Sequence, residues 1–267
     1  MNINVLISCM HQKDADIIHR TNIQTDVVVV NQCDNDKVSE FDFQNKKGKI
    51  CHAKFINTKE RGLSRSRNMA INNSWGDVCL ICDDDEYLED DYDVKISEAY
   101  QNHPEEKIIV FTIERNDYET PKQYPPHEQY VGLKQLLQTS SVQVTFKREE
   151  IKREGLLFDV MLGSGTGNGA GEENKFLMDC KRKGGKIYYV PVCLGAVLTG
   201  NSTWFKGYTP QFMKNQGWTS RRSLGTPLGF CYIMSYGLRH RALFKKDGMN
   251  MYNVYKYLLQ GFFLKRD

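Results

Sequence analysis

The apolar residues of this chain fall into short blocks, and their spacing predicts the elements. Residues 4–9 alternate weakly and predict a first strand, followed by a short helix over about 14–20. Four valines in a row make residues 26–31 a buried second strand, and 54–57 a weak third. Ser64 is placed to cap a helix reaching about Ser74 and ended by Gly76, which delivers the chain into Val78-Cys79-Leu80-Ile81-Cys82. That apolar run reads as a buried strand and fires straight into Asp83-Asp84-Asp85-Glu86. A helix near 91–101 and a strand at 107–113 complete a βαβ-type half. Such alternation predicts an α/β fold with a mostly parallel central sheet and helices on both faces.

The second half is less regular. Residues 115–130 are polar, carry Pro121, Pro125 and Pro126, and predict a mobile loop; 142–147 predict a strand. Glycines at 163, 165, 167, 169 and 171 then lead into Glu172-Glu173 and a helix ending in Lys181-Arg182-Lys183-Gly184-Gly185, with a short strand at 186–190. Acids in the first turn and bases plus glycine at the end suit the helix dipole and cap.

Composition narrows the class. Within 267 residues, 40% apolar and 26% charged residues are those of a soluble globular protein with an ordinary core. The start has no basic leader and no run of 18 apolar residues exists, so neither a signal peptide nor a membrane span is expected, and the chain reads as cytoplasmic. Eight cysteines are too dilute for a disulfide framework and sit in strand-like runs, so they read as reduced core thiols. Cys79 and Cys82 have half a zinc spacing, but a strand points them to opposite faces. The net charge of +3 hides an asymmetry: from Gly200 onward there are eleven Lys and Arg against two Asp.

The acidic strand end carries the chemistry. Carboxyl ends of strands in open α/β sheets border ligand crevices, and four adjacent anions repel unless a cation sits among them. One or two carboxylates plus ligand phosphates are the usual way to present Mg2+ or Mn2+ to a nucleotide. On this reading Asp85 ligates the metal, while Asp83 reaches the metal shell or a ribose hydroxyl. A solvated acidic turn is the bland alternative. The glycine run fits neither a dinucleotide fingerprint nor a P-loop, so it reads as a flexible loop that can double as a lid. Glu172 and Glu173 favour a helix start and equally can put a general base into the crevice.

Four stretches in order resemble the inverting glycosyltransferases of family 2, which have the GT-A fold: Val5-Leu6-Ile7-Ser8; Val27-Val28-Val29-Val30-Asn31 with Asp34 beyond; Gly62-Leu63-Ser64-Arg65-Ser66-Arg67-Asn68 ahead of Trp75-Gly76-Asp77; and Asp83-Asp84-Asp85, at the family's D-x-D signature. Phe158-Asp159, Gly171-Glu172-Glu173-Asn174 and Gly185-Lys186-Ile187-Tyr188-Tyr189-Val190-Pro191 resemble its third block. The match spans about residues 3–200. It implies that Asp83 holds the ribose or metal shell and Asp85 the metal, and that Ser8, Asn31, Asp34, Arg67 and Asp84 belong to the nucleotide-sugar pocket. Glu173 stands where the family keeps its catalytic base, with Glu172 or Asp159 as fallback. Three departures stand out: Asn31 replaces a common aspartate, Glu173 replaces an aspartate, and no histidine follows residues 192–198, where Thr199 or Asn201 stands instead.

The resemblance implies a metal-dependent inverting transferase taking a sugar from a nucleotide diphosphate sugar, favoured as UDP-linked, to a glycan or lipid-linked acceptor in capsule, exopolysaccharide or lipopolysaccharide assembly. A catalytic domain over 1–205, with a nucleotide half (1–114) and an acceptor half (115–205), precedes a basic, aromatic helical extension over 206–267. Residues 224–267 read either as a basic amphipathic helix pair on an anionic bilayer or as a helical cap. Nucleic acid is not an expected partner, since no recognised module accompanies the basic residues. Two other classes stay open: a haloacid-dehalogenase-like phosphatase, though Glu86-Tyr87 breaks its pattern, and a non-catalytic nucleotide-sugar- or cation-binding module.

Overall fold

The structure, a computed structural model, describes residues 1–115, 122–198 and 207–266. The first half runs β1 (Ile3–Met10), α1 (Ile17–Arg20), β2 (Asp26–Gln32), β3 (Lys37–Gln44), β4 (Ile50–Thr58), α2 (Leu63–Asn73), β5 (Val78–Asp83), β6 (Glu86–Leu88), α3 (Tyr92–Asn102) and β7 (Ile108–Arg115). There follow β8 (Gln129–Tyr130), α4 (Leu133–Leu136), a single 3-10 turn at Ser141–Gln143, β9 (Val144–Lys147), α5 (Arg148–Arg153), α6 (Glu172–Arg182) and β10 (Tyr188–Val197). Four helices close the described chain: α7 (Pro210–Leu224), α8 (Thr226–Arg239), α9 (Arg241–Lys246) and α10 (Met251–Phe263).

The strands form one sheet in the order β3-β4-β2-β1-β5-β9-β7-β10-β6, with β8 beside β10. Its heart, β4-β2-β1-β5, is parallel, as the buried apolar runs predict. Alternate residues of each strand feed two cores. Leu6, Val28, Ile81 and Val110 join Phe158 and Phe176 under α2 and α6, while Val5, Val29, Leu80 and Phe111 meet Ile96 and Tyr92 of α3 on the other face. The turn into β5 is built by buried Asn4, whose Oδ1 accepts from the backbone N–H groups of Trp75 and Gly76 at 2.7 and 2.6 Å.

Several expectations change. The first helix shrinks to Ile17–Arg20, and the weak third strand lengthens to β4 because β3, unforeseen, pairs with it antiparallel. Ser64 does not cap α2; its hydroxyl donates to the carbonyl of Leu162 at 2.7 Å. The last strand of the sheet extends to Val197 because β7 and β6 flank it. The glycine run is no free lid. All five of its glycines have left-handed backbones, and the loop is tied to α2 through Leu63 N–H to Ser164 O and to α7 through Asn215 to Gly167 O.

Among the described residues, 224–266 hold three helices, not a pair, and with α7 they pack around Met213, Ile233, Phe244, Val254, Leu258 and Phe262. Here α7 and α10 cross almost backbone to backbone: a Cβ on Gly217 would lie 2.0 Å from the Leu258 carbonyl oxygen, and one on Gly261 1.8 Å from that of Lys214. Arg222 fixes α7 to the sheet domain by a two-pronged ion pair with Asp159, at 2.6 and 2.9 Å.

This crossing generates a stability prediction. Gly217→Ala or Gly261→Ala is expected to cost about 1–3 kcal/mol or more in urea unfolding by forcing the helices apart. Gly132→Ala, where a Cβ meets nothing within 4 Å, is expected to cost far less.

Candidate active site

The acidic run lies at the carboxyl end of β5. Parallel pairing aligns Asp83 with Ser8 of β1, and the chain then turns through Asp84 and Asp85 into β6, held by antiparallel pairing of Glu86–Leu88 with β10. A Cβ on Gly195 opposite would sit 2.3 Å from the Tyr87 carbonyl oxygen, so glycine there lets β6 close in. Glu86 folds inward. It is buried, accepts from the Asp83 N–H at 3.2 Å through Oε2, has no partner on Oε1, and burial holds its carboxyl well above the usual range.

Beneath the turn lies Arg67, 2% exposed, on the inward face of α2 with Ser66 and Ala70. Its Nη2 donates to both Asp83 oxygens, at 2.9 and 3.2 Å, and to Ser141 Oγ at 2.8 Å. Its Nη1 donates to Glu172 Oε1 at 2.8 Å, and its guanidinium rests 5.5 Å from the centre of the Phe158 ring. Burial disfavours the charge, but Asp83, Glu172 and Glu173 outweigh it and raise the affinity of the guanidinium for its proton.

One cation thus joins the acidic turn to the first turn of α6. There Glu172 is buried, ion-paired, and also accepts from the Gly171 N–H at 3.1 Å. Glu173, half-buried beside it, carries no such direct partner from Arg67. Desolvation first, then the Glu172 charge, pushes its carboxyl up to about 8, with Arg67 opposing. Glu173 borders a cavity of about 620 Å³ that also includes Arg115, Lys122, Lys134 and Ser140. Lys122 donates to Gln138 O and Gln143 Oε1; burial and then Arg115 push its ammonium down to about 8.

The sequence-predicted residues sort out unevenly. Asp83, Arg67 and Glu172 form one network with Glu173 beside it, and Arg67 lies buried beneath the turn. Asn31 is fully buried, and its amide is used on both backbone groups of Gln12 at 2.9 Å and on Asn57 Oδ1 at 2.7 Å. Ser8 is buried and accepts from Ser66 Oγ. Asp34 is exposed and paired with Arg61 Nη2 at 2.7 Å. Asp159, held by Arg222, is not free as a base. Ser141, Arg61 and Lys122 went unread: Ser141 has no signal of its own, and Arg61 stands in plain view one residue before Gly62.

Asp84 and Asp85 face outward on the turn. Partial desolvation, then the neighbouring carboxylates, raises both carboxyls. A divalent cation among these hard oxygens removes that repulsion, so the donor set fits Mg2+ or Mn2+. Among the described residues no group of three or more His, Cys, Asp or Glu is arranged to hold a metal ion. Thr199 and Asn201 lie outside the described residues.

The family model of glycosyl transferase family 2 matches residues 8–160, more than half of the chain. The chain belongs to glycosyl transferase family 2. This family 2 member is a glycosyltransferase, which sets aside the phosphatase and the non-catalytic module. In fold it is similar to S. aureus TarS 1–349, at 15% identity and TM-score 0.56, over 85% of this chain and 67% of that one. The same TarS fragment in complex with UDP-GlcNAc gives 16% identity and TM-score 0.59, over 85% and 68%. Full TarS gives 14% and 0.57, with 85% of this chain covering 40% of that one. These likenesses show the GT-A fold. No curated protein matches the chain significantly.

The raised carboxyl of this transferase sets a pH dependence. Between the ordinary value of 4.5 and about 8, folded Glu173 keeps a proton that the unfolded chain has lost, so this group makes stability fall as pH rises through that window. Glu173→Gln removes the effect, while Glu86 is common to both proteins and cancels. In urea unfolding the variant is expected to gain on the wild type by about 3–4 kcal/mol between about pH 5 and about pH 8.

Proposed function

We propose that the chain is a metal-dependent inverting transferase that moves a sugar from a UDP-sugar to a hydroxyl of a glycan or lipid-linked acceptor. The observation that supports this reading is the Asp83–Arg67–Glu172 network, in which one buried guanidinium ties the acidic turn to the first turn of α6, where Glu173 follows Glu172. The UDP and UDP-GlcNAc complexes of TarS, a protein of like fold, support uridine as the base.

Asp85 holds the metal, and Asp83, still 29% exposed, offers its remaining lone pairs to the ribose or the metal shell. Asp84 flanks the nucleotide, with Ser8 and Asp34 at its edges. The metal supplies positive charge for the departing diphosphate. Glu173 accepts the acceptor hydroxyl proton while that oxygen bonds to the anomeric carbon; the carbon–phosphate oxygen bond breaks, and its electron pair leaves with the nucleoside diphosphate. A single displacement of this kind inverts the anomeric centre. A base titrating near 8 gives a rate that rises with pH up to that region.

Residues 1–205 form the catalytic domain in this proposal, and 206–267 bring it to its acceptor during capsule, exopolysaccharide or lipopolysaccharide assembly at the cytoplasmic side of the membrane. Among the described residues no helix is long and apolar enough to cross a membrane. Yet α8 exposes Leu228, Met234 and Leu238 along one face, with Leu243, Arg239, Arg241, Lys245 and Lys246 exposed nearby. An apolar stripe beside clustered cations suits an anionic bilayer surface.

Asp85→Ala is expected to abolish the Mn2+-dependent thermal stabilisation by UDP-sugars, whereas Glu173→Gln retains it and loses at least about a hundredfold in transfer. Turnover retained in Glu173→Gln contradicts the assignment of the base. Leu238→Glu is expected to release the protein from anionic phosphatidylglycerol vesicles in co-sedimentation; unchanged binding removes the membrane surface from the proposal.

A further inference from the structure

Besides the cationic cavity, Glu173 borders a second one of about 220 Å³, lined by residues of α7 and α8. Helical spacing puts Gln216, Thr219, Ser220 and Ser223 of α7 on this wall, and Tyr232 of α8 adds a phenol. Among the described residues, Glu173 is the one charged residue that lines it, in contrast to the Arg115, Lys122 and Lys134 of the neighbouring cavity.

Two of these side chains stand out. Thr219 Oγ1 and Ser223 Oγ are buried with no hydrogen-bond partner, whereas Ser220 between them donates to the carbonyl four residues back, that of Gln216, at 2.6 Å. A buried hydroxyl left unpaired destabilises the fold, so helix wall and cavity together call for a polar partner from outside. The wall is rigidly placed: Arg222 clamps α7 to Asp159, Arg182 donates to the Ser223 carbonyl at 2.8 Å, and Gly169 and Gly171 leave room for Thr219.

We propose that this cavity binds a neutral sugar ring of the acceptor, with Gln216, Thr219, Ser220 and Ser223 selecting its hydroxyl pattern and presenting one hydroxyl to Glu173. The site takes a single ring, and its lack of cations selects against phosphate- or carboxylate-bearing sugars. Thr219 and Ser223 are specificity residues, and the helices after residue 206 complete the active site. This assignment rests on Glu173 being the base.

The test uses the full chain and three probes: methyl β-glucoside, methyl β-N-acetylglucosaminide and methyl β-glucuronide. Binding is measured by saturation-transfer NMR with the enzyme holding UDP, for wild type, Thr219→Val, Ser223→Ala and Gln216→Leu. At least one neutral glycoside is expected to bind the wild type, with affinity falling about tenfold or more in Thr219→Val and Ser223→Ala, the loss of one good hydrogen bond. The glucuronide is expected to bind more weakly. Because Thr219→Val and Ser223→Ala delete unpaired hydroxyls, their melting temperatures are expected to hold or rise, which separates lost binding from lost folding. Glycoside binding equal in wild type and variants, preference for the glucuronide, or no neutral glycoside bound overturns the proposal. Failure of UDP itself to bind the wild type strikes the donor reading instead, and the glycoside comparison is then run without it.

Discussion

The arrangement depends on a buried cation. Arg67 lies under the crevice with almost no contact with water, and a guanidinium there is tolerable only while anions surround it. Asp83 supplies one from the end of β5, and Glu172 the other from the start of α6. Those residues are 16 and 105 positions away in the chain. The pairing therefore fixes the acidic turn, the inward face of α2 and the first turn of α6 relative to one another, without any of them being a ligand contact by necessity. It also shares out the acids: Asp83 and Glu172 are tied down, while Asp84 and Asp85 are left exposed on the turn and Glu173 borders the neighbouring cavities.

The electrostatic consequence lies in the asymmetry between two adjacent glutamates. Glu172 takes the hydrogen bond of Arg67 and serves structure. Glu173, desolvated and beside that anion, holds its proton to about 8. An acid followed by another acid on a helix start gives opposite environments within one turn, and environment, not residue type, decides which one is poised to accept a proton. The same charge logic separates the two cavities Glu173 borders: one holds Arg115, Lys122 and Lys134, the other the neutral hydroxyls of α7.

Much of this was legible in the sequence where period and punctuation agree. The valine run, the Val78–Cys82 strand, the helix after Gly62 and the acid-to-base helix over 172–182 all match within a residue or two, because each buries a regular apolar set. The edge strand β3 escaped because half its residues face water, and β6 because three residues carry no period. Polar burial was least legible. Asn31 and Arg67 look like ligand groups in a motif, yet both spend their hydrogen bonds inside the fold. Nothing in the letters distinguishes Arg65, which pairs with Glu60 on the exposed side of α2, from Arg67 underneath; only the phase of the helix against the sheet does. In the tail, aromatic and apolar residues on every side of the helices hid how many there are, while Gly217 and Gly261 set how closely two of them meet.

The most direct measurement of the claim that one buried network poises the base is the pH profile of turnover in Glu172→Gln, with whichever UDP-sugar the wild type uses. Asp83 continues to neutralise Arg67, so the variant is expected to fold and to bind donor. With the Glu172 charge gone and the Arg67 charge retained, the midpoint of the kcat/KM rise is expected to move to lower pH than in the wild type. A midpoint that stays in place or moves upward would contradict the account.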